Sequence, residues 1–123
     1  MLENKYFTVT ASHITDTHGE FDVRLEKGHP VYAGHFPGNP VSPGVCNLQM
    51  VKECAEKVAG HALTFRRVAQ YRLMEVVSPW KEPDLHISLD VAETDGQYKL
   101  TAKMTAAGAE VISVKGELIA NNN

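Results

Sequence analysis

Only one stretch of this chain has helical spacing, and nearly everything else alternates apolar and polar residues with a period of two. Leu48, Val51, Ala55 and Val58 recur at i, i+3, i+7 and i+10 between Pro43-Gly44 and Gly60. This predicts a helix over Val45–Ala59 with one buried stripe, bordered by Cys54, and with Lys52, Glu53, Glu56 and Lys57 on its polar side. Leu85, Ile87, Leu89 and Val91 alternate with polar residues, as do Tyr98, Leu100, Ala102 and Met104, and then Ile112, Val114 and Leu118. That period belongs to antiparallel strands with one face buried. Asp95-Gly96 and Gly108 stand where hairpin turns are needed. Further strands are expected near Tyr6–Thr10, over Phe21–Leu25, and over Phe65–Val77, the last with a bulge because its alternation is imperfect. One apolar helix and one antiparallel sheet make an α+β domain in which the helix packs on the sheet.

At 123 residues the chain fits a single domain spanning 1–123. The net charge of −3 argues against a nucleic-acid binder. No apolar run approaches the roughly 20 residues that cross a bilayer. Met1–Thr10 carries Glu3 and lacks the basic-then-apolar pattern of an export signal, so a cytoplasmic location is expected. Cys46 and Cys54 lie eight residues apart on the predicted helix, roughly 12 Å by its rise. That is too far for a disulfide, and both read as small buried hydrophobes.

Residues Gly34 to Gly44 read GHFPGNPVSPG, with three prolines and three glycines in eleven positions. Such a segment is neither a regular helix nor a central strand. It is a stiff, sharply turned loop that leads into the helix and holds His35 at its start, which makes it the candidate site.

His35-Phe36-Pro37-Gly38-Asn39-Pro40-Val41-Ser42-Pro43-Gly44-Val45 closely resembles the active-site loop of the 3-hydroxyacyl-acyl carrier protein dehydratases of fatty-acid synthesis. The pattern is H-F-P-G-x-P-x-x-P-G-V followed by an apolar helix, and the resemblance is strongest over residues 28–56. It implies a hot-dog fold, an antiparallel sheet wrapped around one long central helix. It also implies a homodimer, or a larger assembly of dimers, with acyl tunnels at the subunit interface. Further implications are a lyase that removes water from a 3-hydroxyacyl thioester to give a trans-2-enoyl thioester, and a substrate carried on acyl carrier protein or on CoA. No cofactor is implied, since phosphopantetheine arrives with the substrate. By the same resemblance His35 takes the C2 proton, and Phe36, Pro37, Gly38, Pro43, Gly44 and Val45 shape the substrate site. Backbone N–H groups around Gly44 and Val45 hold the thioester carbonyl. A histidine near its ordinary pKa suits the base, and a helix N-terminus suits the oxygen.

The family's acid lies fourteen residues after the histidine, which here is Gln49. A glutamine amide cannot donate a proton as an acid. Three readings follow. In the first, His35 performs both proton transfers while Gln49 orients the hydroxyl. In the second, Glu53, one helical turn on, supplies the acid. In the third, dehydration is lost, and the chain serves as an acyl-thioester or carrier-binding subunit, or as a hot-dog thioesterase. Arg66, Arg67 and Arg72, with Lys52 and Lys57, are candidates for a basic patch facing an acidic carrier protein. His13, His18, His29, His61 and His86 show no metal-ligand spacing, and the cysteines are not in C-x-x-C, so no metal site is expected. His18 reads as a solvated turn residue and His86 as solvated, while His29, before Pro30, is only a minor candidate to stand behind the loop. Trp80 is a candidate to cap the core or line a tunnel.

Overall fold

The computed structural model describes residues 1–34 and 40–121. In chain order the elements are β1 (Phe7–Thr15), β2 (His18–Leu25), a one-turn helix α1 (Val31–Gly34), α2 (Gly44–Ala59), β3 (Leu63–Leu73), β4 (Asp84–Thr94), β5 (Gln97–Ala106) and β6 (Ala109–Ala120). The six strands form one antiparallel sheet in the order β1-β2-β4-β5-β6-β3. Helix α2 lies against this sheet, touching β1, β2, β3 and β4. This is the helix-on-sheet α+β architecture expected from the alternation, in the hot-dog form that the resemblance implies.

The inner face is built by register. Phe21 pairs with Ile87, Ile87 with Met104, and Met104 with Ile112, giving a continuous apolar row across four strands. Each of these side chains is buried. Asp95 and Gly96 both take positive φ (52° and 79°), the backbone that a tight β4–β5 hairpin requires. At Gly19 a Cβ would stand 2.6 Å from both Phe21 and Val58, so this glycine lets the end of α2 close on β2.

The structure moves several expectations. The buried stripe of α2 is Asn47, Met50, Val51, Cys54 and Ala55, while Leu48 and Val58 are only half-buried. Glu53 is not on a solvent face: it is 1% exposed. Strand β1 continues to Thr15, and His18 opens β2 instead of sitting in the turn. Strand β3 does show irregular register, between Phe65 and Arg67 and between Val68 and Gln70, but it ends at Leu73. Beyond it the chain leaves the ladder, although Val77 is still buried. Trp80 is 63% exposed and caps no core. Cys46 and Cys54 are free thiols. Among the described residues no helix is long and apolar enough to cross a membrane.

Candidate functional site

His35, Phe36, Pro37 and Gly38 lie outside the described residues, as does Asn39. The flanks of that segment are well defined. Tyr32, on α1, donates to the Tyr6 hydroxyl at 2.8 Å, and Tyr6 bonds to Ser42 Oγ. Tyr6 precedes β1, so the N-terminal segment ties residue 32 to residue 42 and closes the neck of the loop. The Ser42 N–H donates to the Val77 carbonyl at 2.6 Å, which fixes the exit of the loop. His29 supports the entry: its Nδ1 accepts the Val31 N–H at 3.1 Å, and its ring meets Tyr6 edge-on at 5.1 Å.

The exit runs directly into α2. Pro43 is the N-cap (φ −63°, ψ 148°) and gives no side-chain cap, and the first turn holds no acidic residue. The N–H groups of Cys46 and Asn47 turn back to the Pro43 carbonyl at 3.0 Å. Helix geometry leaves the N–H groups of Gly44 and Val45 without an intrahelical acceptor. Val45 is 76% exposed, so its surroundings are open. A 16-residue helix with an uncapped amino end presents oriented donors and partial positive charge, which suits an oxygen that gains negative charge.

Behind the helix start lies a buried polar chain. Ser42 Oγ donates to Asn47 Oδ1 at 2.6 Å, and Asn47 Nδ2 donates to the Tyr71 hydroxyl at 3.1 Å. Burial pushes the Tyr6 hydroxyl far above the ordinary tyrosine pKa, against the opposing effect of its bond to Ser42. Burial raises Tyr32 in the same way, so both phenols stay protonated. Burial also raises the Cys46 thiol, which keeps it from serving as a ready thiolate nucleophile. Sequence reasoning missed this group. The signal available was Asn47, a polar residue on the apolar stripe, which must find partners when buried.

Gln49 sits on another side of α2. Two residues from Asn47, it is rotated about 200° around the axis. Its Nε2 donates to Glu53 Oε2 at 2.8 Å, and it lines a surface groove of about 610 Å³ with Glu3, Lys52, Glu53 and Lys57. Glu53 accepts two further bonds, from the Leu2 N–H (2.7 Å, Oε2) and the Glu3 N–H (2.9 Å, Oε1). Three donors offset the cost of burying this carboxylate, and both of its oxygens are engaged.

Arg66, Arg67 and Arg72 are exposed on β3, with Arg66 bonded to Gln97 at 2.9 Å. Lys52 is paired with Glu56, and Lys57 with Glu3. On the outer face of β2 and β4, His18 bonds to Asp90 and Glu20, and His86 bonds to Asp22 and Glu20. Among the described residues no group of His, Cys, Asp and Glu is arranged to hold a metal ion.

A six-stranded antiparallel sheet around one main helix, with a Pro/Gly loop feeding the helix start, defines a hot-dog protein. The fold agrees with solved structures. A chain of the dehydratase heterocomplex ApeI:P from Xenorhabdus doucetiae superposes with a TM-score of 0.73, covering 85% of this chain and 89% of that one at 18% identity. An uncharacterized protein from Erwinia carotovora subsp. atroseptica gives 0.63, covering 92% and 94% at 19% identity. Sequence relatives include 3-hydroxyacyl-[acyl-carrier-protein] dehydratases FabZ. That of Latilactobacillus sakei is 27% identical (71% of this chain, 77% of the relative), and that of Oleidesulfovibrio alaskensis is 28% identical (87% and 85%). The family model described as ApeI dehydratase, ApeI-like, matches residues 11–113. The chain belongs to the ApeI-like dehydratase family, and so to a family of hydro-lyase type.

Proposed function

We propose that the protein eliminates water from a 3-hydroxyacyl thioester to give a trans-2-enoyl thioester. The substrate is an acyl chain on acyl carrier protein or CoA, in the cytoplasm, in fatty-acid or related lipid synthesis. The observation that carries this reading is the uncapped start of α2, placed directly at the exit of the loop that bears His35. Gly44 and Val45 N–H groups polarise the thioester carbonyl and make the C2 proton more acidic. His35 takes that proton, the C2=C3 double bond forms, and the C3–O bond breaks. The imidazolium returns the proton to the departing hydroxyl in a syn elimination, and no redox cofactor is needed.

The burial of Glu53 and its three N–H donors support a scaffolding role for it, which favours His35 as the sole proton carrier. Glu53 fixes the Gln49 amide by taking its N–H, which leaves Gln49 Oε1 to accept from the C3 hydroxyl. The dehydratases that the chain resembles take this helix residue from the other subunit, so the reading assigns Gln49 to the site of a second copy, within a homodimer.

A second reading is favoured by Gln49 and by the heterocomplex neighbour: a subunit that holds an acyl thioester but works with an active relative. Incubation with one 3-hydroxyacyl and one saturated acyl thioester separates the possibilities. Enoyl product supports dehydration. Free thiol from either substrate means a thioesterase, and neither product, even at high protein concentration, means a binding subunit.

A further inference from the structure

The buried chain behind α2 has a direction, which follows from counting protons. Asn47 Oδ1 can only accept, so Ser42 Oγ must donate to it at 2.6 Å. Ser42 has then spent its proton and must accept from Tyr6. Tyr6 has then spent its own and must accept from Tyr32, as its 2.8 Å bond requires. On the far side, Asn47 Nδ2 can only donate. It gives one hydrogen bond to the Tyr71 hydroxyl at 3.1 Å and a longer one, at 3.4 Å, to the Ser42 carbonyl, which fixes the orientation of the amide. The hydroxyl protons of Tyr32, Tyr6 and Ser42 and one amide N–H of Asn47 therefore all point toward Tyr71. The Tyr71 oxygen is used as an acceptor and keeps its proton, for which no acceptor exists among the described residues.

That hydroxyl stands at the start of α2. Its oxygen is 3.8 Å from where a Cβ on Gly44 would lie, beside the N–H groups that the helix leaves unpaired. Tyr71 reaches this place from β3, where it pairs with Val114 of β6, and its ring packs on the core. A rigid sheet position thus carries a proton donor to the mouth of the helix. Hydrogen bonds in one continuous direction polarise one another, so the terminal O–H is a stronger donor than an isolated phenol.

Building on the dehydratase reading, we infer that the Tyr71 hydroxyl donates to the thioester carbonyl oxygen, as a further oxyanion donor beside Gly44 and Val45 N–H. The loop neck and the oxyanion site are then one hydrogen-bonded unit, in which Tyr32, Tyr6, Ser42 and Asn47 are positioning residues. A donor at this oxygen already bonds the carbonyl of the bound thioester in place of water, and it strengthens on the enolate that forms as the C2 proton leaves, so its effect falls mainly on kcat.

The test uses the full chain, Tyr71→Phe, and an enoyl thioester labelled with ¹³C at the carbonyl. In the wild type the carbonyl infrared band should lie below its position in water. In Tyr71→Phe it should move back up, with kcat lower by about 10²-fold and KM within about threefold. Phenylalanine leaves Asn47 Nδ2 without one acceptor and could unsettle the fold. A second protein carrying 3-fluorotyrosine at position 71 therefore keeps the hydroxyl and makes it a better donor, and its band should shift further down. An unchanged band in both variants overturns the inference, even if kcat falls, because a merely structural tyrosine would lower kcat without touching the carbonyl. Wild-type protein that binds the thioester without turnover, yet shows the Tyr71-dependent band, sinks the dehydratase reading and keeps this one. Failure to bind any acyl thioester overturns both.

Discussion

Glu53→Gln tests whether the buried carboxylate is scaffold or acid. The side chain keeps its shape, but one oxygen becomes an NH₂ group. In its better orientation the new amide oxygen takes the place of Oε2 and keeps the bonds from Leu2 and Gln49. The NH₂ then faces the Glu3 N–H, which donates to Oε1 at 2.9 Å in the parent, so two donors meet and one stays unsatisfied. An unsatisfied buried donor costs about 1–3 kcal/mol. The two surviving bonds change from charge-assisted to neutral, roughly halving each. Relief from burying a charge offsets part of this. The expected loss is about 2–3 kcal/mol, or roughly 8–12 °C in melting temperature for a domain of this size. Urea denaturation measures the first figure and calorimetry the second, while hydrogen exchange at the Leu2 and Glu3 amides should accelerate together. Under the scaffold reading kcat falls less than tenfold at a temperature where the variant is folded. A variant with the parent's melting temperature and no turnover would refute the reasoning, because that is how a general acid behaves.

Gln49→Glu should raise dehydration by about tenfold or more, since it restores an acid. Its carboxyl would lie where Gln49 Nε2 now meets Glu53 Oε2 at 2.8 Å, and two carboxylates so close cannot both ionise easily. The pH–rate profile should therefore show a new limb above the ordinary glutamate range, and a variant no faster than the parent means that acid supply is not limiting. The His18–Glu20–His86 cluster gives a pH dependence of stability. Bonds to Asp90 and Glu20 raise His18, and bonds to Asp22 and Glu20 raise His86, so this support is complete below about 6.5 and fades as pH rises through the higher folded values. Burial pushes Glu20 up, but its bonds from His86, Ser88 and His18 outweigh that and hold it at about 2, so its share is complete above about 4.5 and fades as pH falls toward 2. Melting temperature should form a plateau between those limits, and replacing both histidines with Gln should flatten the alkaline flank; an unchanged flank would remove the cluster as its cause. Gly19→Ala places a methyl group 2.6 Å from Phe21 and Val58 and should cost about 1–3 kcal/mol in urea melts.

What could be read from sequence follows from what each element buries. Strands β4, β5 and β6 each bury one face, so Ile87, Leu100 and Val114 announce themselves by alternation. β1 is an edge strand exposed along most of its length, so residues 11–15 carry no apolar pattern to find. The existence of α2 was plain, but its facing was displaced because Asn47 and Glu53 are polar yet buried. Their partners, Tyr71 for one and Leu2 and Glu3 for the other, lie 24, 51 and 50 residues away, and no local pattern reports such distant satisfaction. The Pro/Gly loop was legible as a motif, and the Tyr6–Ser42 closure of its neck was not, since it depends on a residue ahead of the first strand.

The place of Gln49, on a surface groove of α2, also bears on how activity scales. If each site draws its histidine from one chain and its glutamine from another, dilution below the dimer's dissociation constant removes turnover and not merely stability. Two inactive proteins, one changed at His35 and the other at Gln49, would regain about a quarter of full turnover once their subunits are mixed at random, because half of the pairs then hold one intact site.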